Sequence, residues 1–218
     1  MNPFDHGLFR KQICRLRALA LWIAVGGAVG CAVEPIPVNN ENLKASRYLR
    51  YTVRGTQAGF YTQAFRSNYL VYPAVFKPGS KVDFTLYSNI RVDMSINGLP
   101  CRMFFRDSQF PIDNDGIKVF LDKHFALSAK ELKLESLDQG VRNQIDQGVA
   151  AIGMTKEQVL LALGFPSHID NYAPADLLSR ERILESNQWI YRYNEIMFFP
   201  TYWAYQFDNT GKLAQVIR

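Results

Sequence analysis

The N-terminal segment of this chain limits how many of its residues can enter a folded domain. Four basic residues lie between Arg10 and Arg17, and an apolar run of 13 residues follows from Ala18 to Gly30. A membrane-spanning helix needs about 20 apolar residues, so this run is too short for a permanent anchor. A basic segment followed by a short apolar run that closes in small residues is typical of a secretory leader. We therefore predict that residues 1–30 are a cleaved signal peptide.

The residues at the end of this run, Ala28-Val29-Gly30-Cys31, resemble the lipobox of bacterial lipoproteins. In that family the cysteine thiol is diacylglycerylated, the leader is cut before the cysteine, and the new amino terminus is acylated. The resemblance implies that acyl chains on Cys31 hold the protein on a membrane. It also implies delivery to the periplasmic face of the outer membrane, because Ala32 stands where an aspartate favours inner-membrane retention. An ordinary secretory leader, with an unmodified Cys31, is the alternative.

The predicted mature chain of 188 residues is nearly neutral and has few cysteines. The leader takes four of the 25 basic residues and one of the 20 acidic residues. No Lys- or Arg-rich block remains, so we expect no nucleic-acid partner. Cys14 leaves with the leader and Cys31 is the acylation site, which leaves Cys101 without a disulfide partner. We interpret Cys101 as a small buried residue in a strand, with a reactive thiol as the alternative.

The segment after the leader divides into a tether and a β-rich module. Residues 31–46 contain two prolines and three asparagines without periodicity, which favours a lipidated tether. Residues 47–125 predict an antiparallel β module, either a small barrel or a sandwich. In one segment Val82, Phe84 and Leu86 share a face. The predicted strands are RYLRYTV, GFYTQAF, NYLVYP, KVDFTLYS, IRVDMSI, CRMFFR and IKVFLDKHF.

Residues 126–136 form a connector rich in Lys and Glu. Ser128 and Glu131 can form a capping box at a helix start, while an exposed strand is the alternative. The apolar spacing does not decide between the two.

Residues 137–218 predict an α+β domain in which two helices cover one face of a sheet. Apolar residues at helical spacing run from Val141 to Ile152 and stop at Gly153. Thr155 predicts the start of a second helix through a capping box with Gln158, and Gly164 and Pro166 end that helix. After a loop over 167–186, the predicted strands are QWIYRY, TYWAYQFD and LAQVIR.

Four segments of this domain carry a family resemblance. They are IGMTKEQV from Ile152, LGFP from Leu163, WIY from Trp189 and YQFDNTGKL from Tyr205. Their order resembles the SmpA/OmlA domain, the BamE-like fold of outer-membrane lipoproteins. The resemblance implies two helices, a three-strand meander and a place in an envelope complex, such as the one that folds β-barrel proteins into the outer membrane. The added module at 47–125 and the long charged loop before Trp189 indicate a relative with a different partner.

No catalytic or metal-binding motif is recognisable in the sequence. We interpret His124, at the end of a predicted strand, and His168, in a loop, as surface or hydrogen-bonded residues. Asp113 and Asp115 fit the start of a calcium loop, but the downstream Glu is missing, which favours an Asx-type turn. We expect no enzyme activity, no cofactor, no metal and no small-molecule substrate.

Aromatic residues are the most informative excess near the C-terminus. Trp189, Tyr191 and Tyr193 share one face of a strand and suit a sheet core with cross-strand aromatic pairs. The residues around Pro200 either join that core or form an exposed loop that contacts a partner or lipid headgroups, because Pro disfavours a regular central strand. The candidate partner-binding residues are Phe198, Phe199, Tyr202 and Trp203.

Together these features predict a lipid-anchored envelope protein with two domains that acts by binding, as a scaffold subunit in a complex. One alternative is a structural subunit of a secretion or cell-wall-linked complex, with the β module as its assembly surface. Another is a periplasmic enzyme or inhibitor, which a deep cleft would favour. The residues expected in such a cleft are Asp113, Asp115, His124 and His168.

Overall fold

Apolar alternation interrupted by tight turns builds a curled β sheet of eight strands in the first half of the chain. The computed structural model describes residue 36 and residues 40–65, 70–104, 112–170, 173–175, 178–193 and 201–218. Within these residues, a five-stranded sheet and five short α-helices complete a mixed α+β structure. The predicted signal peptide, Cys31, Phe198 and Phe199 lie outside the described residues.

The large sheet is an open series of short strands in the order β4-β2-β3-β7-β6-β5-β1-β8. Four of its strands, β1, β3, β5 and β6, lie inside predicted ones, whereas β2 begins at the last residue of RYLRYTV and β4 follows the predicted strand NYLVYP. The strands are β1 Arg47–Leu49, β2 Val53–Ala58, β3 Tyr61–Phe65, β4 Ala74–Phe76, β5 Lys81–Tyr87, β6 Arg91–Ile96, β7 Leu99–Phe104 and β8 Phe125–Ala126.

One pair of neighbours in this sheet is parallel, so the prediction of a purely antiparallel module was wrong. β3 runs parallel to β7, with Thr62 opposite Cys101 and Phe65 opposite Phe104. The reason lies in the path of the chain, because β4 returns to the free edge of β2 and leaves the outer edge of β3 for a later strand. The other neighbouring strands of this sheet pair antiparallel.

A β-bulge changes which residues of β5 face the core. The strand pairing with β6 shifts between Phe84 and Leu86. A bulge inserts one residue into a strand and reverses the side on which later side chains lie. Tyr87 is therefore fully buried, whereas Leu86 is only partly buried, contrary to the predicted alternation.

The segment IKVFLDKHF forms a helix, and its prediction as a strand was wrong. Helix α2, Asn114–His124, begins where the Asp113 carboxylate accepts a hydrogen bond of 2.6 Å from the Gly116 amide. Such a side-chain cap satisfies an amide that the first helical turn leaves unpaired. The buried residues recur at helical spacing and pack on the large sheet; they are Ile117, Phe120, Leu121 and His124.

Part of the predicted tether belongs to the folded structure. The Ile36 amide donates a hydrogen bond of 2.7 Å to the Tyr87 carbonyl. Helix α1, Glu41–Lys44, buries Leu43 to 2% exposure in the core of the large sheet. Ile36 and Leu43 of the predicted tether therefore supply contacts to the fold.

Residues 126–136 contain two short 3₁₀ helices, Ala129–Leu132 and Leu134–Ser136. The predicted capping box is confirmed. The Ser128 side chain accepts from the backbone of the first helical turn, and the Glu131 carboxylate accepts from the Ser128 amide. The Lys133 residue between the two helices adopts a left-handed conformation with φ of 49°. After Ala126, which ends β8, most of the connector is therefore 3₁₀-helical and none of it is an exposed strand.

The second sheet holds five strands in the order β10-β9-β11-β12-β13, all paired antiparallel. Three helices accompany it. These helices are α3 Gln139–Asp146, α4 Lys156–Leu163 and α5 Arg180–Glu185. The strands are β9 His168–Ile169, β10 Ala173–Pro174, β11 Gln188–Arg192, β12 Tyr202–Phe207 and β13 Leu213–Ile217.

Both the start and the end of α4 were predicted, since it stops at Leu163 with Gly164 as its cap, whereas the end of α3 was not. The capping box of α4, formed by Thr155 and Gln158, is confirmed. Helix α3 stops at Asp146 because Gly148 turns the chain with φ of +66°, so Ile152 lies beyond the helix. The loop expected over 167–186 instead contains β9, β10 and α5.

Each sheet has its own apolar core, and direct contacts join the two. The Tyr51 ring belongs to the core of the second sheet and meets the Phe165 ring edge-on at 4.7 Å. The Thr52 amide donates to the Leu161 carbonyl at 2.9 Å. Residues Pro35–Arg218 therefore form one compact unit that contains both sheets.

Candidate binding surface

The turn between β2 and β3 holds a phenylalanine in solvent. Ala58 pairs with Tyr61, which leaves a loop of two residues, and Gly59 takes its first position with φ of +61°. Such a loop requires a positive φ at that position, which glycine adopts without a steric penalty. Phe60 follows and is 97% exposed. The hairpin geometry therefore directs a large apolar side chain away from both cores.

A second exposed apolar residue lies beside Phe60 at the same end of the sheet. Thr62 of β3 lies opposite Cys101 of β7, and the two strands are parallel. Phe60 and Leu99 each come two residues before these partners, so they hold equivalent positions on neighbouring segments. Neighbouring strands lie about 4.8 Å apart. Leu99 follows the Asn97-Gly98 turn and is 58% exposed. We call Phe60 and Leu99 the apolar tip.

The apolar tip and the bridge between Ile36 and Tyr87 lie at opposite ends of the large sheet. β5 begins at Lys81, next to the Asn97-Gly98 turn, and ends at Tyr87, which bonds to Ile36. At about 3.3 Å per residue, this strand is roughly 20 Å long. The chain thus enters the fold at one end of the sheet and presents its apolar tip at the other.

A groove of about 620 Å³ opens where the connector meets the start of β5. Leu134, Ala129 and Pro78 contribute apolar surface to it. The charged residues that line it are Lys130, Lys133, Glu135 and Arg142. We call this cavity the basic groove, since its side chains carry three positive charges and one negative charge.

A smaller polar crevice of about 260 Å³ lies on the other side of the connector. Its arginines are already paired, Arg50 with Glu131 at 3.4 Å and Arg180 with Glu157. The Tyr51 hydroxyl at this crevice donates to the Lys123 carbonyl at 2.6 Å, and burial raises the pKa of Tyr51 above its usual value. Paired charges of this kind leave little electrostatic attraction for a ligand.

The four polar residues expected in a catalytic cleft are not brought together. Asp113 and His124 lie at opposite ends of α2, which is about 16 Å long at 1.5 Å per residue. Asp113 acts as a helix cap, in agreement with the Asx-type interpretation, and Asp115 lies exposed in the first turn. His168 begins β9 in the other sheet, where its Nδ1 atom lies 3.1 Å from the Ser167 hydroxyl.

His124 is buried at the end of helix α2, whereas the sequence suggested a surface or hydrogen-bonded residue at the end of a strand. It is 7% exposed, and its ring lies 5.1 Å from the Phe165 ring and 4.7 Å from the Phe120 ring. The helical spacing of α2 places it toward the aromatic residues between the two sheets. Its surroundings are those of a core histidine.

Two of the candidate partner-binding residues are described, and they lie on opposite faces of β12. Trp203 shares the core-facing side with Tyr205, stacks on Tyr193 at 4.6 Å, and has the Arg218 guanidinium 4.6 Å from its ring. Tyr202 points to the other face and contacts the His168 ring edge-on at 6.0 Å. A partner-binding role for these residues, and for Phe198 and Phe199, stays a prediction.

Cys101 is buried in β7 at 2% exposure, as the sequence suggested. Burial raises the pKa of its thiol to about 12, and the carboxylate of Asp93 adds to this effect. The nucleophilic thiolate is therefore scarce near neutral pH.

Metal ligands are not clustered in the part of the chain that the structure describes. Among those residues, no group of three or more His, Cys, Asp or Glu side chains is arranged to hold a metal ion. None of the helices in the same ranges is long and apolar enough to cross a membrane.

Sequence reasoning missed both the apolar tip and the basic groove. The signal for Phe60 was available, since an aromatic residue after Gly59 lies between two strand-like segments and cannot be buried in a two-residue loop. The basic groove left no local signal, because Arg142 is distant in sequence from Pro78 and the two meet only in the folded chain.

Comparisons with protein family models, curated proteins and solved structures find no match to this chain. The resemblance to the SmpA/OmlA domain therefore remains a prediction from the sequence motifs.

Proposed function

We propose that this protein is a lipid-anchored envelope protein that holds a partner protein near the outer membrane. The observation that carries the proposal is the placement of the apolar tip and the Ile36 bridge at opposite ends of the large sheet. In this proposal acyl chains on Cys31 enter the bilayer, and the apolar tip contacts the partner.

The length of the chain before Ile36 supports this orientation. Four residues lie between Cys31 and Ile36, so the two are five residue steps apart, and a fully extended segment of that length spans at most about 18 Å. The strand from Tyr87 to Lys81 is itself roughly 20 Å long. In this proposal the acyl chains enter the bilayer on the Tyr87 side of the sheet, and the apolar tip is directed to the partner.

The exposure of the tip supports contact with a protein. Isolated apolar residues are common on protein surfaces, but two exposed ones at the same end of a hydrogen-bonded sheet, one in a tight turn and one at a strand start, offer a larger apolar contact. Aromatic side chains are enriched among the residues that dominate binding energies in protein complexes. Phe60 can insert into a pocket while the packing inside its own fold stays unchanged.

The order of elements also supports a BamE-like arrangement for residues 137–218. Helices α3 and α4 precede the meander β11-β12-β13, as the motifs predicted. The insertion of β9, β10 and α5 before the meander distinguishes this chain from a minimal member of that family. We accordingly assign it a partner of its own, in place of the role in β-barrel assembly.

Two measurements in intact cells test this function. Metabolic labelling with a palmitate analogue is expected to mark the native protein and to leave Cys31→Ser unlabelled. A photoreactive benzoylphenylalanine at position 60 is expected to crosslink to a partner protein in the membrane fraction. The matched control carries the same group at Val119, which is 68% exposed on α2.

Either measurement can overturn the proposal. An unlabelled native protein excludes the lipid anchor. If position 60 gives no crosslinks, or no more than position 119 gives, the apolar tip is excluded as the contact.

A further inference from the structure

The charges of the basic groove have no partners among the described residues. The side chains of Lys130, Lys133 and Arg142 form no ion pair or hydrogen bond there, whereas the nearby Arg50 is paired with Glu131. Lys130 and Lys133 are exposed and Arg142 is half-buried, so all three are accessible, and an anionic ligand that contacts them together is attracted by several like charges at once. The groove is therefore prepared for a negatively charged occupant.

Two acidic residues flank Arg142 along the chain, and each is bonded to a group other than Arg142. The Asp146 carboxylate accepts from the Lys77 ammonium at 3.0 Å, and the Asp138 carboxylate caps the helix by accepting from the Gly140 amide at 2.7 Å. Arg142 lies between these two residues on the same short helix. Glu135 is the remaining carboxylate of the groove, and it leaves a net charge of two positive units.

The shape of the groove selects among anionic partners. A bilayer surface is flat on this scale and cannot enter a concave space, while a free phosphate is far smaller than 620 Å³. That volume lies within the range of sites that hold a short peptide or a drug-sized ligand. The apolar surface of Leu134, Ala129 and Pro78 suits apolar side chains that alternate with charged ones.

We propose that the basic groove binds an acidic peptide segment of a partner protein, with Asp or Glu carboxylates on Lys130, Lys133 and Arg142. Apolar side chains of the same segment lie on Leu134 and Pro78. Exposed pairs between flexible side chains are individually weak, so the groove requires several carboxylates at once. This inference goes beyond the proposed function, because it requires neither acyl chains on Cys31 nor contacts of Phe60.

Peptide binding to the full-length protein in non-ionic detergent tests the inference. The probe is a short fluorescent peptide of alternating Glu and Leu, and the control peptide contains Gln in place of Glu. We expect binding of the Glu peptide alone, with an affinity that falls as salt is added. Charge reversal in the double variant Lys130→Glu, Arg142→Glu is expected to weaken the affinity for the Glu peptide roughly tenfold.

Matched variants separate this site from general charge effects and from the apolar tip. Lys44→Glu with Lys118→Glu makes the same change of charge on α1 and α2, and it is expected to leave peptide affinity unchanged. Phe60→Ser is also expected to bind the peptide as the native protein does, so a failure of the tip does not affect this test.

Several results would overturn the inference. They are equal binding of the Gln peptide, an equal loss in the α1 and α2 control variant, and no binding of the Glu peptide. Displacement of the peptide by inorganic phosphate would assign the groove to a small anion, and displacement by short-chain phosphatidylglycerol in the detergent would assign it to lipid headgroups.

Discussion

Arg54 and Gly148 fix the first sheet to the end of helix α3. The Nη2 atom of Arg54 donates a hydrogen bond of 2.6 Å to the Gly148 carbonyl, while Nη1 donates to the Tyr72 carbonyl at 3.1 Å. A Cβ atom on Gly148 would lie 2.8 Å from that Nη2 atom. Glycine suits this position chiefly through its positive φ, and a Cβ atom would also displace the guanidinium from its hydrogen bond.

Replacing Gly148 tests this contact. We expect Gly148→Ala to lower the free energy of unfolding by about 2–4 kcal/mol, because left-handed strain adds to a steric conflict with Arg54. Gly153→Ala is the matched control, since Gly153 also has a positive φ but no described atom lies within 4 Å of its Cβ position. Urea unfolding measures both variants, and equal losses would contradict a role for the guanidinium contact.

Substitution of Arg54 itself has a separate expected outcome. Arg54→Ala removes the donor from at least two backbone carbonyls, and an unsatisfied buried carbonyl costs about 1–3 kcal/mol. Arg54→Lys is expected to recover only part of the stability, since an ammonium cannot reproduce the guanidinium fork. If urea unfolding gives Arg54→Lys the same free energy of unfolding as the native protein, a positive charge alone is sufficient for this contact.

The Cys101 thiol is expected to be inert in the folded protein. Its pKa of about 12 leaves the neutral thiol dominant at pH 8, and burial blocks access to reagents. Iodoacetamide at pH 8 is expected to modify it at least tenfold more slowly in the native state than in guanidinium chloride. Mass spectrometry of the peptide that contains Cys101 gives both rates, and similar rates would show that β7 opens readily.

The turn between β12 and β13 is expected to weaken in acid. The Asp208 Oδ1 atom accepts from the Thr210 amide at 2.8 Å and the Lys212 amide at 3.0 Å, and these bonds lower the pKa of this carboxyl. Because the pKa of Asp208 is lower in the folded state, its carboxylate stabilises the fold at pH values above the usual Asp pKa of about 3.9. That stabilisation is lost as the pH falls through the pKa of the folded state.

Comparison with Asp208→Asn isolates that dependence. The stability difference between the native protein and the variant is expected to be largest near neutral pH and to shrink below pH ~4. Urea midpoints across this range measure it, together with the NMR titration of the carboxyl carbon. A difference that is the same at every pH would mean that the charge of Asp208 does not stabilise the turn.

Phe60 is expected to be dispensable for folding. Because its side chain is 97% exposed, Phe60→Ser is expected to change the free energy of unfolding by no more than about 0.5 kcal/mol. Phe120→Ala, at a position 4% exposed in the core of the large sheet, is expected to cost about 3–5 kcal/mol. A large loss from Phe60→Ser would place this residue in the fold and remove it from the binding surface.

Local chemistry accounts for the elements that were predicted well. The capping box of Ser128 with Glu131 and that of Thr155 with Gln158 each bind their own helix start, so four residues of sequence are enough to specify them. The Asn97-Gly98 turn is local in the same way, because both of its residues adopt positive φ.

The errors occurred where distant contacts decide the structure. The segment IKVFLDKHF has the β-branched and aromatic composition of a strand, and its helical form depends on burial of Phe120 against the distant Tyr87. The Asp113 cap is a local signal for this helix start, which the strand prediction overlooked. The bulge in β5 likewise appears only when that strand pairs with β6. Composition alone does not contain this information.

The amino-acid sequence by itself determined the strand-rich first half and the helix starts at Ser128 and Thr155, because each depends on residues within one or two turns of chain. Only the tertiary structure decided the parallel pairing of β3 with β7, and with it the placement of Phe60 and Leu99 at the same end of the sheet. The same is true of the basic groove, where Pro78 and Arg142 come together. These surfaces arise from contacts between distant segments, whose free energies depend on the packing of the whole fold.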